Sequence, residues 1–176
     1  MQIAKIEDGN VTVADHRDMF PNTSFPHSGP SAEWLASNGF APVTVWKEHD
    51  RNTHKLEQVK PYLDDGVAYT VQVVPLSADE LAQRVAEWQD GIVAATQQRL
   101  DGFARTRKYD GILAACTYAT SAVAKFAAEG QCAVVARDAT WSKLHEILAD
   151  VANGKRPAHV AFDDIEAELP ALNWPA

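Results

Sequence analysis

Alanine is distributed unevenly along this chain of 176 residues, and this asymmetry constrains the fold more than any other feature. Residues 1–77 contain 6 of the 29 alanines, and residues 78–176 contain the other 23. Because alanine has the highest intrinsic helix propensity, a skew of this size predicts a change to helical structure near residue 77. We therefore predict two domains: a small β-rich segment with loops over 1–77 and a helical bundle over 78–176.

The first segment carries the patterns of short strands. Residues 67–74 alternate with the period of two that is typical of a half-buried strand. Asp64-Asp65-Gly66, directly before them, indicates a turn in which Gly66 adopts a positive φ. Residues 55–63 are then the partner strand, and Pro61 places that strand at a sheet edge because proline cannot donate to a ladder. We predict a small antiparallel β segment.

The second segment begins with a helix. Ser77 is a favourable N-cap, and Asp79 and Glu80 follow in the first turn, where carboxylates meet the positive end of the helix dipole. Gly91 and Gly102 each cost about 1 kcal/mol in a helix interior, so we expect a kink or break at these two positions.

Two further helices and a tail complete the expected bundle. We predict a second helix over about 110–130, ended by a left-handed turn at Gly130, and a third over about 131–153. An acidic tail with proline and tryptophan residues follows. The predicted fold class is α+β, with a small N-terminal antiparallel β segment followed by a C-terminal bundle of about three helices.

The charge of the chain limits its partners. There are 24 acidic and 16 basic residues, for a net charge of −8, which argues against binding to nucleic acid or to an anionic membrane through basic charge. No apolar run approaches the roughly 18 residues of a membrane span, and the first residues lack the apolar core of a secretory signal. Cys116 and Cys132 fit reduced thiols. We expect a protein made in a cytoplasm.

Catalytic motifs do not assemble in the sequence. His145-Glu146 begins like a zinc-protease helix, but Ala149 stands where the second histidine is required. His49 and His54 offer two metal ligands without a third. There is no nucleophile elbow, phosphate-binding glycine loop or dinucleotide fingerprint. We predict a non-enzymatic protein without cofactor or metal.

Trp174 lies close to the end of the chain, between Leu172 and Pro175. A terminal aromatic residue is usually disordered unless it docks on a surface. Two alternatives remain at this point: the tail folds back onto the helices of its own chain, or it anchors a neighbouring protein. We favour folding back because intrachain docking costs no association entropy.

A series of short motifs occurs in order between residues 99 and 175. They are Arg99-Leu100-Asp101-Gly102-Phe103-Ala104-Arg105-Thr106-Arg107, Tyr109-Asp110, Thr117-Tyr118-Ala119-Thr120-Ser121, Phe126-Ala127-Ala128-Glu129-Gly130-Gln131, Arg137-Asp138-Ala139-Thr140-Trp141 and Glu168-Leu169-Pro170-Ala171-Leu172-Asn173-Trp174-Pro175. Over about residues 78–175 this pattern resembles a helical domain that recurs in tail fibre and tail-associated proteins of tailed bacteriophages. More loosely, residues 20–25 and 34–40 resemble the lead segment of such proteins.

The resemblance implies a structural role in a virion. We expect a component of the phage tail, at the baseplate or the fibre attachment region, that is made in the host bacterial cytoplasm and acts through contacts with other tail proteins. It can form a homo-oligomer on the virion, where neighbours impose symmetry. The alternative is a tail-fibre assembly chaperone that is absent from the mature virion. Our candidate partner contacts are Phe25 and Trp34 in the first segment and Leu172 and Trp174 in the tail.

Overall fold

The structure, a computed structural model, describes residues 1–175. The chain divides into two compact units, Met1–Leu81 and a second that begins at Ala82. In chain order the elements are β1 (Gln2–Glu7), β2 (Asn10–Asp15), α1 (His16–Met19), α2 (Ala32–Ser37), β3 (Phe40–Thr44), β4 (His54–Asp64), β5 (Val67–Pro75), α3 (Ala78–Arg105), α4 (Ile112–Thr117), a 3₁₀ turn (Tyr118–Thr120), α5 (Ala124–Ala152) and α6 (Phe162–Glu166).

The first unit contains a curled five-stranded mixed sheet in the order β2-β1-β3-β5-β4. Neighbouring strands are antiparallel except β3 and β5, which run parallel with Val43 opposite Ala68. The prediction of a small antiparallel β segment is therefore wrong, since strands extend over residues 2–75 and the sheet is mixed. The reason is that periodicity identifies strands without specifying their neighbours. β4 and β5 form a hairpin, and the other edge of β5 pairs with β3.

Local turn chemistry explains both hairpins. Asp65 and Gly66 have φ values of 46° and 73°, and Asp64 pairs with Val67, which is the two-residue turn expected for this sequence. The predicted turn is confirmed, and so is the edge position of β4, the strand that contains Pro61. Asp8-Gly9 is a turn of the same kind between β1 and β2. Sequence analysis did not predict β1, although the Asp8-Gly9 pair indicates a hairpin turn at the end of that strand.

Ser77 and Glu80 form a reciprocal cap at the start of α3, as predicted for Ser77. The Glu80 backbone N–H donates to Ser77 Oγ at 3.3 Å, and the Ser77 N–H donates to Glu80 Oε2 at 2.8 Å. Lys55 Nζ also donates to Glu80 Oε1 at 2.6 Å. The hydrogen bonds from Lys55 and Ser77 lower the pKa of Glu80 to about 2. Glu80 is thus ionised at neutral pH and holds the cap.

The helices of the second unit enclose two apolar clusters. One is built around Leu100 and Phe103 of α3, Ile112 and Ala115 of α4, and Ala133 of α5. The other joins α3, α5 and the C-terminal segment through Ile92, Leu144, Ile147, Ile165 and Leu169. α3 is one helix from Ala78 to Arg105, so the break expected at its two glycines does not occur.

Gly130 does not end a helix, which corrects the predicted boundary between the second and third helices. α5 runs through this residue, and the chain before it contains only α4 and the 3₁₀ turn. A Cβ atom at Gly130 would overlap Ala119 N and Tyr118 C and would lie 2.7 Å from Ala119 Cα. The glycine is therefore needed for the close approach of the 3₁₀ turn to α5 and not for a left-handed cap.

Candidate functional site

An aromatic cluster in the first unit brings together two of the predicted contact residues. Phe25 and Trp34 pack edge to face with ring centroids 4.9 Å apart. Phe20 lies between them and Phe40, at 5.2 Å from Trp34 and 4.9 Å from Phe40. Such pairs contribute about 0.5–1.5 kcal/mol each beyond burial. The cluster therefore fixes the loop over 21–30, and contact of Phe25 or Trp34 with a partner stays a prediction.

A cavity of about 420 Å³ lies beside this cluster, and we call it the His16 cavity. Phe20 and Phe25 form part of its apolar wall. His16 is its most buried lining residue, with 7% of its surface exposed. The His16 ring also packs edge to face on Phe25 at 5.9 Å. Sequence analysis did not single out this residue, because a histidine at the end of a weak strand carries no motif.

The C-terminal tail folds back onto its own helices, which is the first of the two alternatives for Trp174. The indole stacks on Phe103 with ring centroids 4.2 Å apart and planes 12° apart. Trp174 Nε1 donates to Thr106 Oγ1 at 2.9 Å and to the Phe103 carbonyl oxygen at 3.3 Å. Leu172 packs against the same apolar cluster. Both tail residues are therefore half-buried, and their contact with a partner stays a prediction.

Side chains of α3, of the turn that follows it and of α5 also hold the backbone of the tail. Arg99 Nη2 donates to the Pro170 carbonyl oxygen at 2.8 Å, and Arg107 Nη2 donates to that of Pro175 at 3.3 Å. Cys132 Sγ donates to the Asn173 carbonyl oxygen at 3.1 Å. These bonds satisfy tail carbonyl groups that have no secondary-structure partner. The tail is consequently part of the folded second unit.

A buried carboxylate lies under the tail, and sequence analysis did not identify it. Glu129 is only 5% exposed. It accepts hydrogen bonds from Tyr109 Oη at 2.7 Å and from Arg107 Nη1 at 3.4 Å. Burial and the hydrogen bond to Glu129 raise the pKa of Tyr109 to about 12. A glutamate in an alanine-rich helix looks solvent-exposed in sequence, so no signal there reveals this network.

The Tyr109–Glu129 bond predicts a pH dependence. The phenol must stay protonated to donate, so its stabilising effect is complete below the ordinary pKa of 10 and is lost as pH rises through about 12. We expect the free energy of unfolding of the second unit to fall between pH 10 and 12. Chemical denaturation at a series of pH values measures this. The free energy of unfolding should decline less in the Tyr109→Phe variant than in the unmodified protein, whereas the Tyr62→Phe control should show the full decline. An identical decline in all three proteins would contradict the assignment.

An exposed apolar patch lies where the 3₁₀ turn meets α5. Tyr118, Val123 and Phe126 are 41%, 52% and 41% exposed, and we call them the Tyr118 patch. The Tyr118 and Phe126 rings pack edge to face at 5.8 Å. Val123 is the N-cap residue of α5, three positions before Phe126. The patch is held in place by the close approach at Gly130. Such a cluster of exposed large apolar side chains is typical of a protein contact.

The three histidines considered above as metal ligands or catalytic residues each have local contacts. His49 Nδ1 is 2.9 Å from the Lys47 carbonyl oxygen, and His54 Nδ1 is 2.9 Å from Thr53 Oγ1. His145 packs near Trp141 on α5. Within residues 1–175, no three His, Cys, Asp or Glu side chains are grouped so that they could hold a metal ion. Cys116 and Cys132 are half-buried free thiols. Burial raises the pKa of both, which makes them poor nucleophiles at neutral pH.

Comparison with protein-family models, curated proteins and solved structures finds no match to this chain. In residues 1–175 no helix is both long enough and apolar enough to span a membrane.

Proposed function

We propose that this protein is a non-enzymatic structural component of a bacteriophage tail, located at the baseplate or the fibre attachment region, and that it works by binding other tail proteins. The resemblance of residues 78–175 to phage tail proteins supports the tail assignment. The Tyr118 patch is the structural observation that carries the mode of action. It lies inside the segment that bears the resemblance and includes residues of two of its motifs.

The patch has the properties of an interaction hot spot. Tyrosine and other aromatic side chains are enriched at the energetic centres of protein interfaces. Tyr118 and Phe126 hold each other through their ring contact, and the backbone beneath Tyr118 is packed on α5. Because these rings are already held in place, they lose little side-chain entropy when a partner covers them. Burial of the exposed ring area then contributes directly to affinity.

A substitution at the patch separates binding from folding. We expect Phe126→Asp to reduce the amount of this chain in purified virions by about tenfold or more, because it places a charge at the centre of the contact. The fold should be retained since Phe126 is already 41% exposed and belongs to neither apolar cluster of the second unit. The measurement is the ratio of this chain to the other tail proteins in particles assembled with the variant.

Val135→Asp is the matched control. Val135 lies on the same helix, nine residues further along, and is 65% exposed. Nine residues place it about half a turn around the helix from Phe126, so it introduces the same charge on another face. We expect virions with the Val135→Asp variant to contain the normal amount. Normal incorporation of Phe126→Asp would contradict a role for the patch.

The assembly chaperone is the second candidate function. It would use the same patch, since a chaperone also binds fibre proteins through exposed apolar side chains. The two functions differ in the final location of the chain. A structural component stays in the particle in a fixed number of copies, whereas a chaperone is present in infected cells and absent from purified virions.

A further inference from the structure

The His16 cavity has a polar lining of unusual charge for this chain. Its polar lining residues are His16, Arg17, Thr23, Ser24 and His27. None of the described residues that line it carries a carboxylate, although the chain as a whole has a net charge of −8. The cavity is therefore a local site of hydrogen-bond donors and positive charge on an acidic protein. Negative charge is the complement of such a lining.

Most of these donors have no partner within the described chain. No hydrogen bond or ion pair of residues 1–175 involves the Arg17 guanidinium, the two hydroxyl groups or the His27 ring. The carboxylate nearest in sequence, Asp15, is already engaged, because it accepts from the Arg17 backbone N–H at 2.9 Å and lies 3.3 Å from His16 Nδ1. The Arg17 side chain is thus left free for a ligand.

His16 is oriented by its surroundings. Nδ1 lies 3.1 Å from the Met1 carbonyl oxygen and 3.3 Å from Asp15 Oδ1. Both atoms are acceptors, so Nδ1 carries a proton and donates. Nε2 is then the remaining polar atom of a side chain that is more than nine-tenths buried, and it has no partner within residues 1–175.

We propose that the His16 cavity binds a carboxylate group. The planar fork of the Arg17 guanidinium matches a carboxylate with two parallel hydrogen bonds. Hydroxyl groups of Thr23 and Ser24 and the His27 ring supply further donors. Phe20 and Phe25 suit the apolar part of an organic acid better than the hydration shell of phosphate. The volume of about 420 Å³ is within the range of small-ligand sites. This site is separate from the Tyr118 patch and does not depend on the function proposed above.

The test is a titration in which probes are added to the full chain and the amide NMR signals are recorded. Chloride keeps the ionic strength constant. The probes are sodium acetate, acetamide as the neutral isostere, sodium phosphate, and a capped peptide with one glutamate between alanines. We expect saturable shifts of the Thr23 and Ser24 amide signals with acetate and none with acetamide. If the peptide binds more tightly than acetate, the bound carboxylate belongs to a protein side chain. If acetate binds more tightly, it belongs to a free organic acid.

Variants of exposed cations complete the test. Arg17→Gln should weaken acetate binding about tenfold or more, since it removes a charge-assisted bidentate contact. Lys60→Gln removes the same charge from an exposed residue of the same unit that does not line the cavity, and it should change binding by less than about twofold. The proposal is overturned if acetate gives no saturable shift, if acetamide or phosphate binds as well as acetate, or if Arg17→Gln binds acetate like the unmodified protein.

Discussion

Gly130→Ala is expected to destabilise the second unit by about 3 kcal/mol, which is a large effect for the addition of one methyl group. The new Cβ would overlap the backbone of Tyr118 and Ala119. Backbone atoms cannot rotate away as a flexible side chain does, so α5 and the 3₁₀ turn must separate. Separation also weakens the hydrogen bond from Gln131 Nε2 to the Ala119 carbonyl oxygen, 3.2 Å long. Urea unfolding followed by helical circular dichroism measures the change.

Gly102→Ala provides the matched control. This glycine also lies inside a long helix of the second unit, but a Cβ there meets nothing within 4 Å. Alanine should stabilise the helix by about 0.5–1 kcal/mol, because it has the higher helix propensity and restricts the unfolded chain. Opposite signs for the two substitutions are the expected result. Equal effects would show that Gly130 is not a packing glycine.

Trp174→Ala should destabilise the second unit by about 2–3 kcal/mol. The substitution removes the stacked indole and uncovers the Phe103 ring. It also leaves the Thr106 hydroxyl without the donor that now lies 2.9 Å away. Deletion of residues 171–176 should cost at least as much, so a truncation used to test partner binding also lowers stability. Denaturant unfolding of the variant and the unmodified protein measures the difference.

Two further variants identify the source of the Trp174 effect. Trp174→Phe retains a ring for the stack and loses both Nε1 hydrogen bonds, so it should cost about 1 kcal/mol. Trp46→Ala removes a tryptophan that is 48% exposed, with Arg51 5.0 Å above its ring, and should cost less than about 1 kcal/mol. A Trp174→Ala protein as stable as Trp46→Ala would contradict the docked tail.

Sequence predicted those parts of the fold that depend on neighbouring residues. The turn at Asp65-Gly66 requires two positive φ values, which the residue types themselves favour. The cap at Ser77 needs only a partner three residues later, and Pro61 marks an edge strand by lacking a donor. In each case the physical cause lies within a few residues of the feature.

Features that depend on distant residues could not be predicted in this way. The pairing of β3 with β5 is set by packing across the whole sheet, not by either strand alone. Gly130 fits both a helix end and a close backbone approach, and only the position of Ala119 decides between them. Glu129 is buried because Tyr109 and Arg107 reach it from a different part of the chain. The sequence periodicity of α5 does not indicate that Glu129 is buried.

The candidate site shows the same division. Aromatic residues stand out in the sequence, but their spacing does not tell whether a ring packs inside the chain or faces a partner. Trp174 docks on Phe103, whereas Phe126 and Tyr118, which were not candidates, are the exposed rings. Exposure is a property of the assembled helices. It favours the start of α5 over the tail as the surface that contacts a partner.

Quantitative mass spectrometry of purified virions tests the proposed function most directly. A structural component must be present in every particle in a fixed ratio to the other tail proteins, and the symmetry of the tail sets that ratio. We expect such a ratio, unchanged through successive purification steps. Detection of the chain in infected-cell lysate together with its absence from purified particles would contradict a structural role and would establish the assembly chaperone in its place.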